Sequence, residues 1–566
     1  MKADLHLRLL LITSRLIASV SALPSFIIPT PPLRHGKSRP SARLGAQQSR
    51  LHSLRPSSFT QPRSVYVHIP FCRRRCYYCD FPISVVGDSA RAQQQQAESY
   101  YGVLKREMEA TASTWCPPSS ADSGGQRVMA EPSIVMDSVW RDEWERAEAS
   151  GERGVSTVFF GGGTPSLMPP EVIGRIVDDI ERLFGPLSAG CEISMEMDPG
   201  SFDQDKLRSF LTHGRVNRVS LGVQSFSDKT LQRIGRAHSA RDVYRAIEDL
   251  RACGVDNWSV DLIGGLPELT VDEWEGTVRE AIDVGAPHLS VYDLQVEEGS
   301  FFGRWGYQAG ESPLPTEDAS AQMYRSASRL LRDAGYVHYE VSNYAKEGHQ
   351  CRHNMAYWEN VPFFAFGNGA ASFTSLYRFS RPRRLQDYRV WVDRLEREGF
   401  LHAAGFHSLA ELWDESIHRY EKTHEGTHVD DGQHAQMYSE LRRECLSDGL
   451  MLGLRLKSGI SLSRIAKAHG TDAVNGILRA IDQSSAIERG LVRVFCRPRC
   501  DSDSGDEKDL TSGGDALRVM GEGGREVGVC LTDPEGFLLS NDVISSMFAC
   551  IDQMGWGQLR TTQPAL

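Results

Sequence analysis

Several things are scarce in this chain, and each absence excludes something. No hydrophobic run is long and uncharged enough to span a membrane. The best, residues 5–23, is broken by Arg8 and Arg15. The 12 cysteines in 566 residues are mostly scattered, which argues against a disulfide framework. A surplus of basic charge is missing: the net charge is −11, so bulk electrostatics make no case for nucleic acid. What remains, 40% hydrophobic and 24% charged, is ordinary for a soluble globular protein. The length suggests more than one domain.

Acids are nearly absent from one stretch. Residues 1–63 carry ten Lys or Arg and a single acid, Asp4. Rich in Arg, Ser and Pro, the stretch has the composition of an organellar transit peptide, expected to be disordered. Ala18-Ser19-Val20-Ser21-Ala22 suits a signal-peptidase site, and a signal segment before a transit-like one points to a plastid. Mitochondrial import is the rival, and an unaddressed tail the third reading. With no span elsewhere, any membrane contact is expected to be peripheral.

From residue 64 the pattern is strand, loop, helix, repeated. Strand-like runs lie at 64–69, 155–160, 192–197, 218–224, 258–263 and 288–294, with amphipathic helices between them. Such alternation predicts an α/β fold with a parallel sheet, here a partial (β/α)6 TIM-like barrel over 64–380. Functional residues then belong at the C-terminal ends of the strands. Residues 113–153, rich in Pro, Ser and Gly, read as an inserted loop. Residues 381–566 read as a small helical or winged-helix-like accessory domain, with a disordered Asp/Gly/Ser-rich insertion at 498–527.

The cysteines that do cluster stand directly after the first strand. Cys72, Cys76 and Cys79 have the spacing C-x3-C-x2-C. A tight loop of this kind can give three thiolates to a four-iron cluster and leave the fourth iron open to an outside ligand. Zinc is the competitor, with Cys496 and Cys500 as a distant pair, since zinc wants four ligands. Further polar residues punctuate the ends of the apolar strands. The run Gly161-Gly162-Gly163-Thr164-Pro165 follows one. Glu196 and Gln224 end two more, Asp261 lies on a fourth, and Arg236 sits in Ile234-Gly235-Arg236-Ala237-His238. Each would be costly to bury unpartnered. Together they suggest one shared polar ligand in the barrel mouth.

This set of motifs resembles the radical S-adenosylmethionine superfamily. Within it, the set resembles the branch holding oxygen-independent coproporphyrinogen dehydrogenase and the haem chaperone HemW. The resemblance runs from about residue 64 to 368 and resumes near 440–456 and 531–547. It implies a [4Fe-4S] cluster on Cys72, Cys76 and Cys79 whose open iron holds S-adenosylmethionine. It also implies that Tyr66, Tyr78, Gly162, Gly163, Thr164, Glu196, Gln224, Arg236 and Asp261 line that ligand. Two features choose within the branch. The dehydrogenases carry a further cysteine two residues after the third ligand, where this chain has Phe81. The segment His353-Asn354-x-x-Tyr357-Trp358 resembles the proposed haem-binding motif of the chaperones, with an imidazole to ligate iron and two aromatics to pack on a porphyrin. Gly367-Asn368-Gly369 departs from the family, which usually has a histidine near this point. The implied function is haem binding and delivery to an acceptor haemoprotein in an organelle. The alternative is coproporphyrinogen III oxidation. A ferredoxin- or flavodoxin-like electron donor and a homodimer are the further partners expected.

Overall fold

The computed structural model describes residues 62–115, 154–374, 378–403, 446–498, 507–522 and 525–554. The expected targeting segment up to residue 61, the expected inserted loop from residue 116 and residues 404–445 of the expected accessory domain lie outside the described residues.

The chain opens with β1 (Ser64–Ile69), buried at every position. Two short pieces, β2 (Phe71–Cys72) and β3 (Ser84–Val85), pair in parallel and close the cysteine loop. Then come β4 (Val155–Gly162), β5 (Leu187–Met197), β6 (Arg218–Gln224), β7 (Trp258–Gly264) and β8 (His288–Asp293). The chain continues through β9 (Val337–Glu340), β10 (Asn343–Ala345), β11 (Phe363–Phe366), β12 (Ala371–Phe373) and β13 (Arg378–Ser380). These form one eleven-stranded sheet, with β2 and β3 apart, in the order β13-β12-β11-β1-β4-β5-β6-β7-β8-β10-β9. β1 and β4–β8 run parallel, and β11 joins them in parallel beside β1. Antiparallel strands finish both edges. The sheet stays open, so the expected partial barrel holds. The seventh parallel strand and the antiparallel edges were not foreseen.

The reason for the parallel layout lies in the strand sequences. β1 and β7 are buried throughout, as strands covered on both faces must be. Helices cover the outer face and begin on sequence-encoded caps. Ser239 with Asp242, and Thr270 with Glu273, form reciprocal capping boxes. Val158, Met195, Val219, Val260 and Leu289 belong to the first hydrophobic core.

A second core gathers Leu454, Ile477, Val494, Val529 and Ile544. It lies between helices and a four-stranded antiparallel sheet made of β14 (Ile460–Ser461), β15 (Val492–Pro498), β16 (Lys508–Leu510) and β17 (Arg525–Leu531). Two expectations need correction here. The stretch 498–527 is not wholly a disordered insertion, because β16, the helix Gly513–Glu522 and the start of β17 occupy most of it. Its Gly and Asp content hid Ala516, Val519 and Val527, which are buried, and a helix start at which Ser512 Oγ accepts from the Asp515 N–H at 3.2 Å. Nor does the first core stop at residue 380. The helix Leu385–Ala403 buries Tyr388 and Val392 in it, and Arg106 pairs with Glu396 across to the helix Ala90–Trp115.

Candidate cofactor site at the C-terminal ends of the strands

The cysteine loop leaves β1 and is tied down on both sides. The Ser84 N–H donates to the Pro70 carbonyl at 2.7 Å and the Val86 N–H to the Cys72 carbonyl at 2.9 Å. The Tyr77 N–H donates to the Ile234 carbonyl, and the Phe302 N–H to the Tyr77 carbonyl, each at 3.0 Å. The glycine run after β4 packs under this loop. A Cβ on Gly163 would come within 2.7–2.9 Å of the backbone of Ile69, Pro70 and Phe71. At Gly162, where φ is +110°, a Cβ would meet the His68 ring at 2.3 Å. These glycines therefore let two segments of backbone meet, and their N–H groups are spent on protein. Gly163 N–H donates to Ile69 O and Thr164 N–H to Phe71 O, each at 2.7 Å.

Beside the three sulfurs lies a cavity of about 200 Å³. Cys72, Cys76, Cys79, Tyr78, Gly162, Gly163, Thr164, Glu196, Gln224, Arg236 and Asp261 all line it, so eleven of the expected site residues converge. Gln224 is held there at φ +65°, a strained conformation for a residue with a Cβ, where β6 breaks register against β7. Glu196 accepts from the Gly162 N–H at 3.0 Å, and burial with Asp261 nearby pushes its carboxyl well up. Asp261 is also pushed up by burial, opposed by bonds from Ser290, Ser220 and Ser259. Tyr66 is the exception. It lies behind the wall, 3% exposed, with its hydroxyl 3.2 Å from His68 Nδ1. It does not line the cavity: one layer down on the same face of the sheet as Glu196, it packs against Phe159.

Each cysteine sulfur has a hydrogen-bond donor. Thr164 Oγ1 lies 3.7 Å from Cys72 Sγ, Arg236 Nη1 3.5 Å from Cys76 Sγ and the Phe81 N–H 3.4 Å from Cys79 Sγ. Burial pushes the Cys79 thiol up to about 12 and the Cys72 thiol well up, which favours the neutral thiol at these two positions. Thiolates become favourable only beside a bound cationic centre. Among the described residues no group of three or more His, Cys, Asp or Glu converges on a single-ion position, and no other cysteine lines the cavity. Three hydrogen-bonded sulfurs, no fourth, and an adjoining cavity with charged side chains on its wall fit a four-iron cluster with one iron left to an outside ligand.

Sequence reasoning missed Asp198, Tyr292 and Asp293, which also line the cavity. Asp293 ends β8, and burial pushes its carboxyl up to about 6. The rule that found Glu196 and Gln224, a polar residue ending an apolar strand, would have found it. Asp198 stands two positions beyond Glu196 and so on the same side of the chain.

The segment around His353 lies elsewhere. Its contacts are with the N-terminal halves of the strands: His353 Nδ1 meets Thr157 Oγ1 at 2.8 Å, and its ring stacks on Phe159 at 5.2 Å. Nε2 meets the Tyr357 hydroxyl at 2.8 Å. His353 is fully buried, and burial pulls its pKa down to about 3. Tyr357 packs against Phe363, and Trp358 packs into the second core. Hence in this structure neither ring nitrogen is open to a metal, and neither aromatic offers a face to a porphyrin. The structure thus does not bring these three residues to the cavity. The departing Asn368 is a joint: its side chain donates to the Pro82 and Arg383 carbonyls at 3.0 Å.

Comparison with known proteins bears on family and fold. A model of the Radical SAM superfamily matches residues 66–281. A haem chaperone HemW from Synechocystis is 31% identical over 500 residues, covering 88% of this chain and all of that protein. The mouse mitochondrial radical S-adenosyl methionine domain-containing protein 1 is 32% identical over 346 residues, covering 60% of this chain and 67% of that protein. Among solved structures, the coproporphyrinogen III oxidase HemN of Escherichia coli, a radical SAM enzyme, has a TM-score of 0.58 at 19% identity. It covers 90% of this chain and 94% of that one, a likeness of fold.

Proposed function

This chain belongs to the HemW family of the radical S-adenosylmethionine superfamily, and from that premise we propose that it binds haem and delivers it to an acceptor haemoprotein inside an organelle. The observation that carries the reading is similarity to a haem chaperone over 88% of this chain and all of that protein, joined to a three-cysteine cavity in which Phe81 stands where the dehydrogenases have a further cysteine. Cys72, Cys76 and Cys79 would hold the cluster. Tyr78, Thr164, Glu196, Gln224, Arg236 and Asp261 would surround S-adenosylmethionine. When bound, the pair supplies low-potential one-electron chemistry. The chain itself supplies donors to the sulfurs and two carboxylates, Glu196 and Asp261, whose burial favours the protonated form.

The decisive assay gives reconstituted protein coproporphyrinogen, S-adenosylmethionine and a reductant, and in parallel gives it haem. The expected result is a Soret shift and haem transfer to an apo-haemoprotein without porphyrinogen turnover. Steady formation of protoporphyrinogen would replace the chaperone by the oxidase. A ferredoxin- or flavodoxin-like donor and a homodimer complete the proposal.

The organelle is supported by the basic, acid-poor segment before residue 64 and by mitochondrial relatives. We assign it to the plastid, with the mitochondrion as the alternative. No helix among the described residues is long and apolar enough to cross a membrane. Residues 1–63 fused to a fluorescent reporter should carry it into plastids; a signal left in the cytosol would count decisively against the assignment.

A further inference from the structure

We propose that Asp198 is a positioning residue that braces the Arg236 donor of one cluster sulfur and competes with a second sulfur, Cys72, for the Thr164 hydroxyl proton, and so sets how readily the cluster is reduced. The proposal rests on the cluster reading above.

The geometry is specific. One carboxylate oxygen of Asp198 accepts from Thr164 Oγ1 at 3.2 Å, and Thr164 Oγ1 in turn reaches Cys72 Sγ. The other oxygen accepts from Arg236 Nη2, while Nη1 of the same guanidinium reaches Cys76 Sγ and the Tyr78 hydroxyl. One side chain therefore braces the donor to Cys76 and shares with Cys72 the single proton of Thr164. The brace is itself fixed. The Asp198 N–H donates to Ser166 Oγ at 3.3 Å, and its carbonyl accepts from Ser201 Oγ at 2.6 Å. Gly222 leaves room for the pair, since a Cβ there would lie 3.0 Å from Asp198 Oδ1 and 3.3 Å from Arg236 Nη2. Arg236 is 7% exposed, so its guanidinium has few other conformers to adopt.

Hydrogen bonds to cluster sulfurs favour the reduced, more negative state, and nearby charge also moves the potential. Two variants separate the effects. Asp198→Asn removes the charge but keeps one acceptor oxygen for Arg236, its amide NH2 facing Thr164. Asp198→Ala removes both. The full chain is reconstituted anaerobically with iron and sulfide and poised at one fixed potential. The ratio of reduced to oxidised cluster is then read by electron paramagnetic resonance. We expect Asp198→Ala to fall at least about threefold below Asp198→Asn, with equal iron content. Equal ratios in the two variants would overturn the proposal, since only charge would then matter. Should Asp198→Ala fail to fold by circular dichroism, Arg236→Lys takes its place: it keeps the positive charge and loses the two-armed reach. Its ratio should fall below wild type by a similar factor, and a wild-type ratio would overturn the proposal. Failure of the cluster reading looks different, because wild-type protein would then hold no iron and sulfide at all.

Discussion

The two ends of the sheet are equally rich in polar residues, and they use them in opposite ways. At the C-terminal ends of the strands, Glu196, Gln224, Arg236, Asp261 and Asp293 face a cavity beside three cysteines. At the N-terminal ends, Thr157, Glu192, Arg218, His288 and His353 are all buried. Much of that set closes on itself: Glu192 accepts the N–H groups of Arg352 and His353, each at 3.1 Å, and His288 Nε2 meets the Tyr339 hydroxyl at 2.8 Å. Residue type does not distinguish the two ends. The cysteine and glycine loops hold the upper end open, while the segment 351–358 plugs the lower one.

The sharpest way to break this contrast is at the open end. Changing Cys72, Cys76 and Cys79 together to alanine should abolish all iron and sulfide binding, against about four of each per chain in wild type after anaerobic reconstitution. A colourless wild-type protein loaded with zinc would sink the cluster and the comparison with it.

At the sealed end the expected effect is on stability. His353→Ala leaves the Thr157 and Tyr357 hydroxyls without their buried partner and opens a void. It should cost about 2–4 kcal/mol in urea unfolding. Iron content and the Soret spectrum of added haem should stay as in wild type. Loss of haem uptake at unchanged stability would show instead that the imidazole swings out to ligate iron.

The smallest effect concerns pH. Glu340 is buried where β9 meets Leu456 of the second core, and burial lifts its carboxyl from 4.5 to about 7. The folded state therefore holds this proton more tightly than the unfolded one. The resulting stability is complete below about pH 4.5 and is lost as pH rises through about 7, by at most about 1.4 kcal/mol per pH unit. Glu340→Gln should flatten the fall seen in denaturant midpoints across that window. An unchanged slope would remove Glu340 as its source.

Much of the fold was legible because strand and helix periodicities are local. The six parallel strands and their helices could be placed from hydrophobic spacing. Much of the open site followed for the same reason: a motif at the end of a strand is carried to the same rim as its neighbours. What the sequence determined by itself is thus the α/β alternation, the three-cysteine loop and eleven residues of the cavity wall. Only the tertiary structure decided the rest. It set Tyr66 one layer below the cavity, packed on Phe159. It folded a Gly/Asp/Ser-rich stretch into β16 and a helix, because distant β15 and β17 supplied partners. It also closed His353 against Thr157, 196 residues away in sequence. An imidazole followed by two aromatics reads the same along the chain whether it faces a ligand or a hydroxyl. Burial and hydrogen bonding settle the difference, and both are set by contacts that no local pattern encodes.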